Sequence, residues 1–303
     1  MTAGMSAREY STRSRAHPAA DTVADALDGA IRLEADGRGN VRAPLRLQSW
    51  PGIVHGGAVL ALFDAAATAL GAPAGPRTIE GRLTSPVPID APLELEGRLE
   101  DGLVRLAISQ DRHPLASAAV TGADAPSAPD QWTADGEHWA LPTSETCLAC
   151  GSLNPIGLRA ELRFDARGVW VDLDPRPAWR GAGARLHMAA APVILDEVAW
   201  WLGAMVSREG GVTNRLRVTL HRTDAAWDKP VRARGRFERV TPIDRNRTFW
   251  RVEPELLAAD GALLATAAIV FRGGADYSER QLPYFRDRTL PETFRRMFPA
   301  YAS

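Results

Sequence analysis

Cysteine and lysine are almost missing from this 303-residue chain. The two cysteines, Cys147 and Cys150, are too few and too close together for a disulfide framework. A structural zinc needs four ligands, and no second cysteine pair or spaced histidine pair follows; His113, His138 and His221 are scattered. A redox CxxC would open a helix in a thioredoxin-like pattern, which Gly151-Ser152-Leu153-Asn154-Pro155 does not provide. No metal and no cofactor is therefore expected, and neither a Walker loop nor a dinucleotide fingerprint is present. Lys229 is the only lysine, which together with the Ala and Gly excess reflects a GC-rich genome rather than chemistry. A net charge of -1 offers no electrostatic reason to meet nucleic acid or an anionic membrane. No uninterrupted apolar run reaches the roughly 18 residues of a membrane span. The first residues, up to Thr22, are polar and lack the apolar stretch of a secretory signal. The expectation is a cytoplasmic protein, disordered over residues 1–22, with neither a nucleic acid nor a membrane as partner.

What is present is an internal correspondence. With His55 set against His187, an offset of 132 positions, Asp64 falls on Asp196 and Leu70-Gly71 on Leu202-Gly203. One segment reads HGGAVLALFDAAATALG and the other HMAAAPVILDEVAWWLG. Both are apolar almost all round, so each predicts a helix buried on most faces. Strand-like stretches follow each: 78–85, 92–100, 103–110 and 114–121 after the first, and 212–221, 231–240, 248–257 and 262–272 after the second. Many alternate apolar and polar residues, as half-buried antiparallel strands do. Asp101-Gly102 and Asp260-Gly261 add turn signals. Shorter strands are expected before each helix, around 29–42 and 158–173. Strand, helix, then a run of strands argues an α+β fold with a helix packed on an antiparallel sheet.

The boundaries that follow are a first module over 23–123, a Pro/Ala/Asp-rich linker over 124–145, a second module over 146–274 and a tail over 275–303. In the tail, Thr289-Leu290-Pro291-Glu292 resembles a capping box opening a short helix with Phe294, Met297 and Phe298 on one side, docked on its own protein.

The His55-Gly56-Gly57 opening with Asp64 nine residues after the histidine, the loop Trp50-Pro51-Gly52-Ile53-Val54, and Cys147-Leu148-Ala149-Cys150-Gly151 followed by Asn154-Pro155-Ile156-Gly157-Leu158 resemble the hotdog fold. Within that fold they are most similar to acyl-CoA thioesterases of the phenylacetate-pathway (PaaI-like) group. The resemblance covers about residues 24–123 and 146–274. It implies a double hotdog: two antiparallel sheets, each wrapped around a long central helix, paired as an intramolecular pseudo-dimer with two pseudo-equivalent sites. It implies hydrolysis of an acyl thioester on coenzyme A or an acyl carrier protein; the alternatives on the same scaffold are hydration or dehydration, or a specialised biosynthetic step or ligand binding without thioesterase activity. Further pairing of the pseudo-dimer into a homo-oligomer is left open.

The residues themselves support such chemistry. Asp64 sits in a helix with almost no other polar side chain, and burying a carboxylate costs several kcal/mol unless it is paired or protonated. Either it bonds an amide or an Arg at the module interface, or it is a catalytic carboxylate. Gly56 and Gly57 at a helix start expose N–H groups to an oxyanion, a contribution often worth about 3 kcal/mol, or else they merely permit close packing. His55 reads as a residue that fixes the loop. In the second copy His187 is followed by Met188-Ala189-Ala190-Ala191-Pro192, so the Ala189 N–H remains but methyl groups crowd the approach. Asp196 is retained with Glu197 beside it, and adjacent helix positions point about 100° apart, so the two form no close dyad. In hotdog thioesterases the glycine loop and the carboxylate of one site come from opposite subunits. That pattern pairs Gly56-Gly57 with Asp196 or Glu197, and Asp64 with the altered loop after His187. Asp196 is then the first catalytic candidate and Asp64 the second, activating water or attacking the acyl carbon. Trp200 and Trp179 are candidate walls of an acyl pocket, with core packing the alternative for each.

Overall fold

The computed structural model describes residues 22–123, 129, 132 and 136–302, so the disorder expected over 1–22 lies, apart from Thr22, outside the described residues. The first half of the chain opens with helix α1 (Val23–Ala30), then strands β1 (Ile31–Leu33) and β2 (Arg38–Val41), helix α2 (Gly56–Ala69), and strands β3 (Arg77–Leu83), β4 (Leu93–Glu100), β5 (Leu103–Gln110) and β6 (His113–Gly122). The second half begins with β7 (Trp139–Ala140), β8 (Arg163–Phe164) and β9 (Gly168–Leu173), followed by helix α3 (Ala190–Ser207). After it come β10 (Gly211–Leu220), β11 (Val231–Arg236), β12 (Thr241–Pro242), β13 (Phe249–Val252), β14 (Glu255–Ala258) and β15 (Leu263–Gly273), and the chain closes with helices α4 (Ala275–Arg286) and α5 (Pro291–Met297).

The strands after each central helix form where alternation predicts them. In β4 Leu93, Leu95 and Gly97 are buried and Glu94, Glu96 and Arg98 are exposed. The hairpin joining β4 to β5 turns on Asp101 and Gly102, both at positive φ (50° and 77°), as the twist of a tight two-residue hairpin demands. The stretch expected as one strand over 248–257 is divided into β13 and β14 at Glu253-Pro254, where proline cannot donate to a ladder.

Four expectations are corrected. The two halves do not form separate sheets. β3 and β10 pair antiparallel from Arg77 opposite Leu220 to Arg82 opposite Arg215, giving one sheet in the order β1-β2-β4-β5-β6-β3-β10-β15-β14-β11-β9-β8-β7. Each half thus satisfies what would be the other's exposed edge. Residues 23–30 form a helix rather than leading straight into strands, capped by Thr22 Oγ1 on the Asp25 N–H (3.1 Å) and seated on Val23, Ala26, Leu27 and Ala30. The expected linker contains β7, which pairs with β8, and a buried Trp132 packed edge-on to Trp170. The tail carries the 12-residue helix α4 as well as the short α5. Pro291 opens α5 behind Leu290 as its cap, without a side-chain cap bond, so the capping box from Thr289 does not form. Its packing face is as expected, with Phe294, Met297 and Phe298 buried.

α2 packs on β3, β5 and β6, and α3 on β15, β10, β11 and β13. The helices also touch each other, so the apolar residues of both halves join in one core. α3 is long and apolar enough, by length and composition, to cross a membrane; here most of it is buried in that core. The carboxylates of Asp196 and Glu197 on α3 therefore meet the start of α2 in the other half of the chain, and this placement creates the site.

Candidate active site

The α2–α3 contact is closest at the N-terminus of α2. A side chain at position 57 would put its Cβ 2.2 Å from the Pro192 carbonyl oxygen, so only glycine lets the two backbones approach this far. At position 56 the obstacle differs: a Cβ would lie 2.6 Å from Asp196 Oδ2. Gly57 thus serves packing, and Gly56 makes room for a carboxylate.

His55 caps α2. The Gly57 N–H lies 3.1 Å from His55 Nδ1 and 2.9 Å from Asp196 Oδ2. Asp196 Oδ2 is also 3.3 Å from His55 Nδ1, and Asp196 Oδ1 accepts the Thr213 hydroxyl at 2.7 Å. On the far side of the ring, His55 Nε2 is 3.4 Å from Glu197 Oε2. The two carboxylates, about 100° apart on α3, straddle one imidazole instead of facing each other. Cys147 Sγ lies 3.9 Å from the same Glu197 oxygen.

Burial pushes Asp196 above the ordinary carboxylate range, against the opposing effects of His55, Thr213 and the Gly57 N–H. Burial alone would depress His55, but hydrogen bonds with Cys147 and Glu197 and the Asp196 charge hold it well above its usual value. A hydrogen bond from Cys150 lowers Cys147 to about 6 despite its burial, and the same bond raises Cys150.

This chain of polar groups lies at a cavity of about 250 Å³. His55, Gly56, Asp196, Glu197, Cys147 and Cys150 line one part, and Trp50, Trp200, Trp201, Tyr284 and Phe285 supply an aromatic wall. The wall is anchored: Trp200 Nε1 donates to the Gly211 carbonyl at 2.9 Å, and Phe285 packs at 4.9 Å from Trp201 and 5.3 Å from Trp200. Gly56 also lines the cavity, and no described residue accepts its N–H. It is the free donor at the helix start, whereas the Gly57 N–H is turned onto Asp196.

The remaining sequence candidates sit elsewhere. Asp64 is held by Arg77 in a two-pronged ion pair (2.5 and 2.7 Å), and the His187 imidazole senses both charges. The Ala189 N–H lies 3.3 Å from His187 Nδ1, repeating the cap seen at His55, but the carboxylate opposite is already neutralised by Arg77. Trp179 is not among the cavity-lining residues; its indole N–H donates to the Ile156 carbonyl at 2.8 Å in the core. Sequence reasoning missed Cys147, Thr213, Tyr284 and Phe285. Only Cys147 carried a signal, the CxxC spacing; the others have none that a linear pattern would reveal.

No protein-family model matches the chain, and no curated relative matches it. Solved structures do. A protein from Alicyclobacillus acidocaldarius described as having a hot dog fold superposes with a TM-score of 0.55 at 18% identity, over 86% of this chain and 99% of that one. The chain has the hotdog fold. Other solved structures that match carry named activities. An acyl-CoA thioesterase II from Mycobacterium marinum matches with a TM-score of 0.52 at 13% identity, over 82% of this chain and 97% of its own. The dehydratase domain of RzxB from Pseudomonas fluorescens matches at 0.57 and 18%, over 80% and 96%. At such identities the likeness speaks for the fold alone, and function has to be argued from the site.

Proposed function

We propose that this hotdog protein hydrolyses an acyl thioester carried on coenzyme A or an acyl carrier protein, in the cavity between α2 and α3. The observation that carries this reading is the Asp196–His55–Glu197 chain, placed beside the free Gly56 N–H and in front of an aromatic wall. The acyl chain lies along Trp200, Trp201 and Phe285, and its carbonyl oxygen is received by the Gly56 N–H at the positive end of α2. Both Asp196 oxygens are already engaged, so Asp196 sets the orientation of His55. Glu197, the more exposed of the two carboxylates, takes a proton from water as that water attacks the carbonyl carbon. Glu197 passes that proton across its 3.4 Å contact to His55, the C–S bond breaks, and His55 delivers the proton to the departing thiolate. Free acid and thiol are the products.

In the same reading the two halves are tandem modules paired as a pseudo-dimer, and only one of the two pseudo-equivalent sites works. Asp64 is tied to Arg77, and His187 is followed by Met188-Ala189-Ala190 where His55 is followed by two glycines.

The test is thiol release across short, long and aromatic acyl-CoAs. Turnover with at least one substrate is expected, falling about 100-fold or more in Glu197→Gln. Absence of turnover with every chain removes the reading. A second reading, hydration or dehydration of an acyl thioester, is favoured by the His55–Asp196 contact of 3.3 Å, since such chemistry needs an imidazole and a carboxyl group at one carbon pair. Conversion of an enoyl-CoA without thiol release identifies it.

A further inference from the structure

We propose that His55, Cys147 and Glu197 form a binding site for a zinc-type divalent cation at one end of the cavity. The three side chains come from the cap of α2, the CxxC turn and α3, and their ligand atoms all lie within 4.8 Å of one another. His55 Nε2 to Glu197 Oε2 is 3.4 Å, and Cys147 Sγ to the same oxygen is 3.9 Å. Charge-assisted hydrogen bonds between such partners close to about 2.7–2.9 Å, so the nitrogen–oxygen gap is wider than a shared proton requires. It fits the nitrogen–oxygen edge of a coordination tetrahedron, about 3.3–3.4 Å for zinc bonds of about 2.0–2.1 Å, and the 3.9 Å sulfur–oxygen separation closes to the corresponding edge of about 3.6 Å by a shift of a few tenths of an ångström.

Three further observations point the same way. Backbone donors are already aimed at the sulfurs, from the Ala149 N–H to Cys147 (3.3 Å) and from the Ser144 N–H to Cys150 (3.4 Å), as a thiolate ligand requires. The other ring nitrogen of His55 faces Asp196 Oδ2 at 3.3 Å, and that oxygen is pinned by the Gly57 N–H. With the Gly57 N–H given to Asp196 (2.9 Å) rather than to the ring (3.1 Å), a protonated Nδ1 donates to that carboxylate, the outer-shell contact that fixes a metal-binding imidazole with its far nitrogen free. Two carboxyl groups and two thiols surround one imidazole, while Arg272, the single arginine or lysine lining the cavity, stacks over Phe249 and Tyr277. A divalent cation balances that concentration of acidic groups. Sulfur, imidazole and carboxylate together select zinc or cobalt over magnesium or calcium. The fourth position opens to the cavity. The CxxC spacing has no partner pair in sequence; the fold supplies the partners.

A cation held there occupies the Glu197 and His55 atoms that carry protons in the proposed hydrolysis, so turnover by that route belongs to the metal-free form. The test uses the full-length reduced protein and needs no acyl substrate, so it stands whether or not the cavity hydrolyses thioesters. Metal content is measured by mass spectrometry after purification without chelator. The chelator-stripped protein is then titrated with cobalt(II) while visible and thiolate-to-cobalt charge-transfer absorption is recorded. One zinc per chain and a tetrahedral cobalt spectrum are expected. Cys147→Ser loses the charge-transfer band, Cys150→Ser keeps it, Glu197→Gln weakens binding, and Asp196→Asn weakens it about 10- to 100-fold through His55. Circular dichroism establishes that each variant is folded, and Glu197→Gln serves if Cys147→Ser is not. Folded wild-type protein with only trace metal and no cobalt spectrum overturns the proposal, as does an unchanged spectrum in Cys147→Ser.

Discussion

The Gly57 amide donates to the Asp196 carboxylate at 2.9 Å, joining residues 139 positions apart across the contact between the two central helices. Neither half of the chain contains this site alone. The glycines at the start of α2 have separate duties, and the difference is measurable. Gly57→Ala drives a methyl group into the Pro192 backbone and should lower stability by about 1–3 kcal/mol, seen as an earlier thermal transition. Gly56→Ala meets a movable carboxylate instead, so it should keep most of the stability and lose activity. Equal destabilisation by the two variants contradicts this division.

Asp64 and Arg77 are an ion pair with most of both side chains buried, about 15% exposed each. Removing only the arginine strands the carboxylate. Arg77→Met should cost about 1–3 kcal/mol in denaturant unfolding, and Arg77→Met with Asp64→Asn should recover part of it. Thiol release should survive Asp64→Asn and not Glu197→Gln. A larger activity loss in Asp64→Asn would move the working site to the other end of the pair.

His187 titrates in the opposite sense to His55. Burial pushes it below its ordinary value of 6.5, helped by Arg77 and opposed by Asp64 and Asp28, while Nδ1 faces the Ala189 N–H. The unfolded chain therefore takes up this proton before the folded one does. Stability is full above the unfolded value and declines as pH falls through 6.5 toward the lower folded value. Melting temperatures between pH 7.5 and about 5.5 should show this decline, and His187→Asn should flatten it.

Phe285 is the keystone of the aromatic wall, in edge or tilted contact with Trp50, Trp200 and Trp201 at 4.9–5.4 Å. Phe285→Ala should cost about 3 kcal/mol and enlarge the cavity. In an acyl-CoA panel it should shift kcat/KM toward bulkier acyl groups. Unchanged chain preference would place the acyl group elsewhere.

Much of this was legible in the linear chain because it depends on local physics. The apolar helices of residues 55–71 and 187–203 follow from composition, and β4 and β5 follow from alternation and the Asp101-Gly102 turn. The pairing of Gly56-Gly57 with Asp196 or Glu197 is implied by the resemblance, in which loop and carboxylate come from opposite subunits. Helix α4 could not be anticipated. Its first two turns are mostly charged and polar, and Pro283 interrupts its pattern, yet Tyr284 and Phe285 complete the cavity by packing against distant tryptophans. Thr213 is an ordinary strand residue until the sheet sets it beside Asp196.

The carboxylates of α2 and α3 were thus visible from sequence alone, because a charge in an apolar helix must find a partner wherever the chain folds. Which partner each found was decided by tertiary structure. Asp64 meets an arginine 13 residues on, and Asp196 meets an amide and an imidazole from the start of α2 and a hydroxyl from β10. The same holds for Cys147. Its spacing to Cys150 is a local property, but Glu197 is brought beside it only by the fold of the second half, and His55 only by the packing of the first half against it.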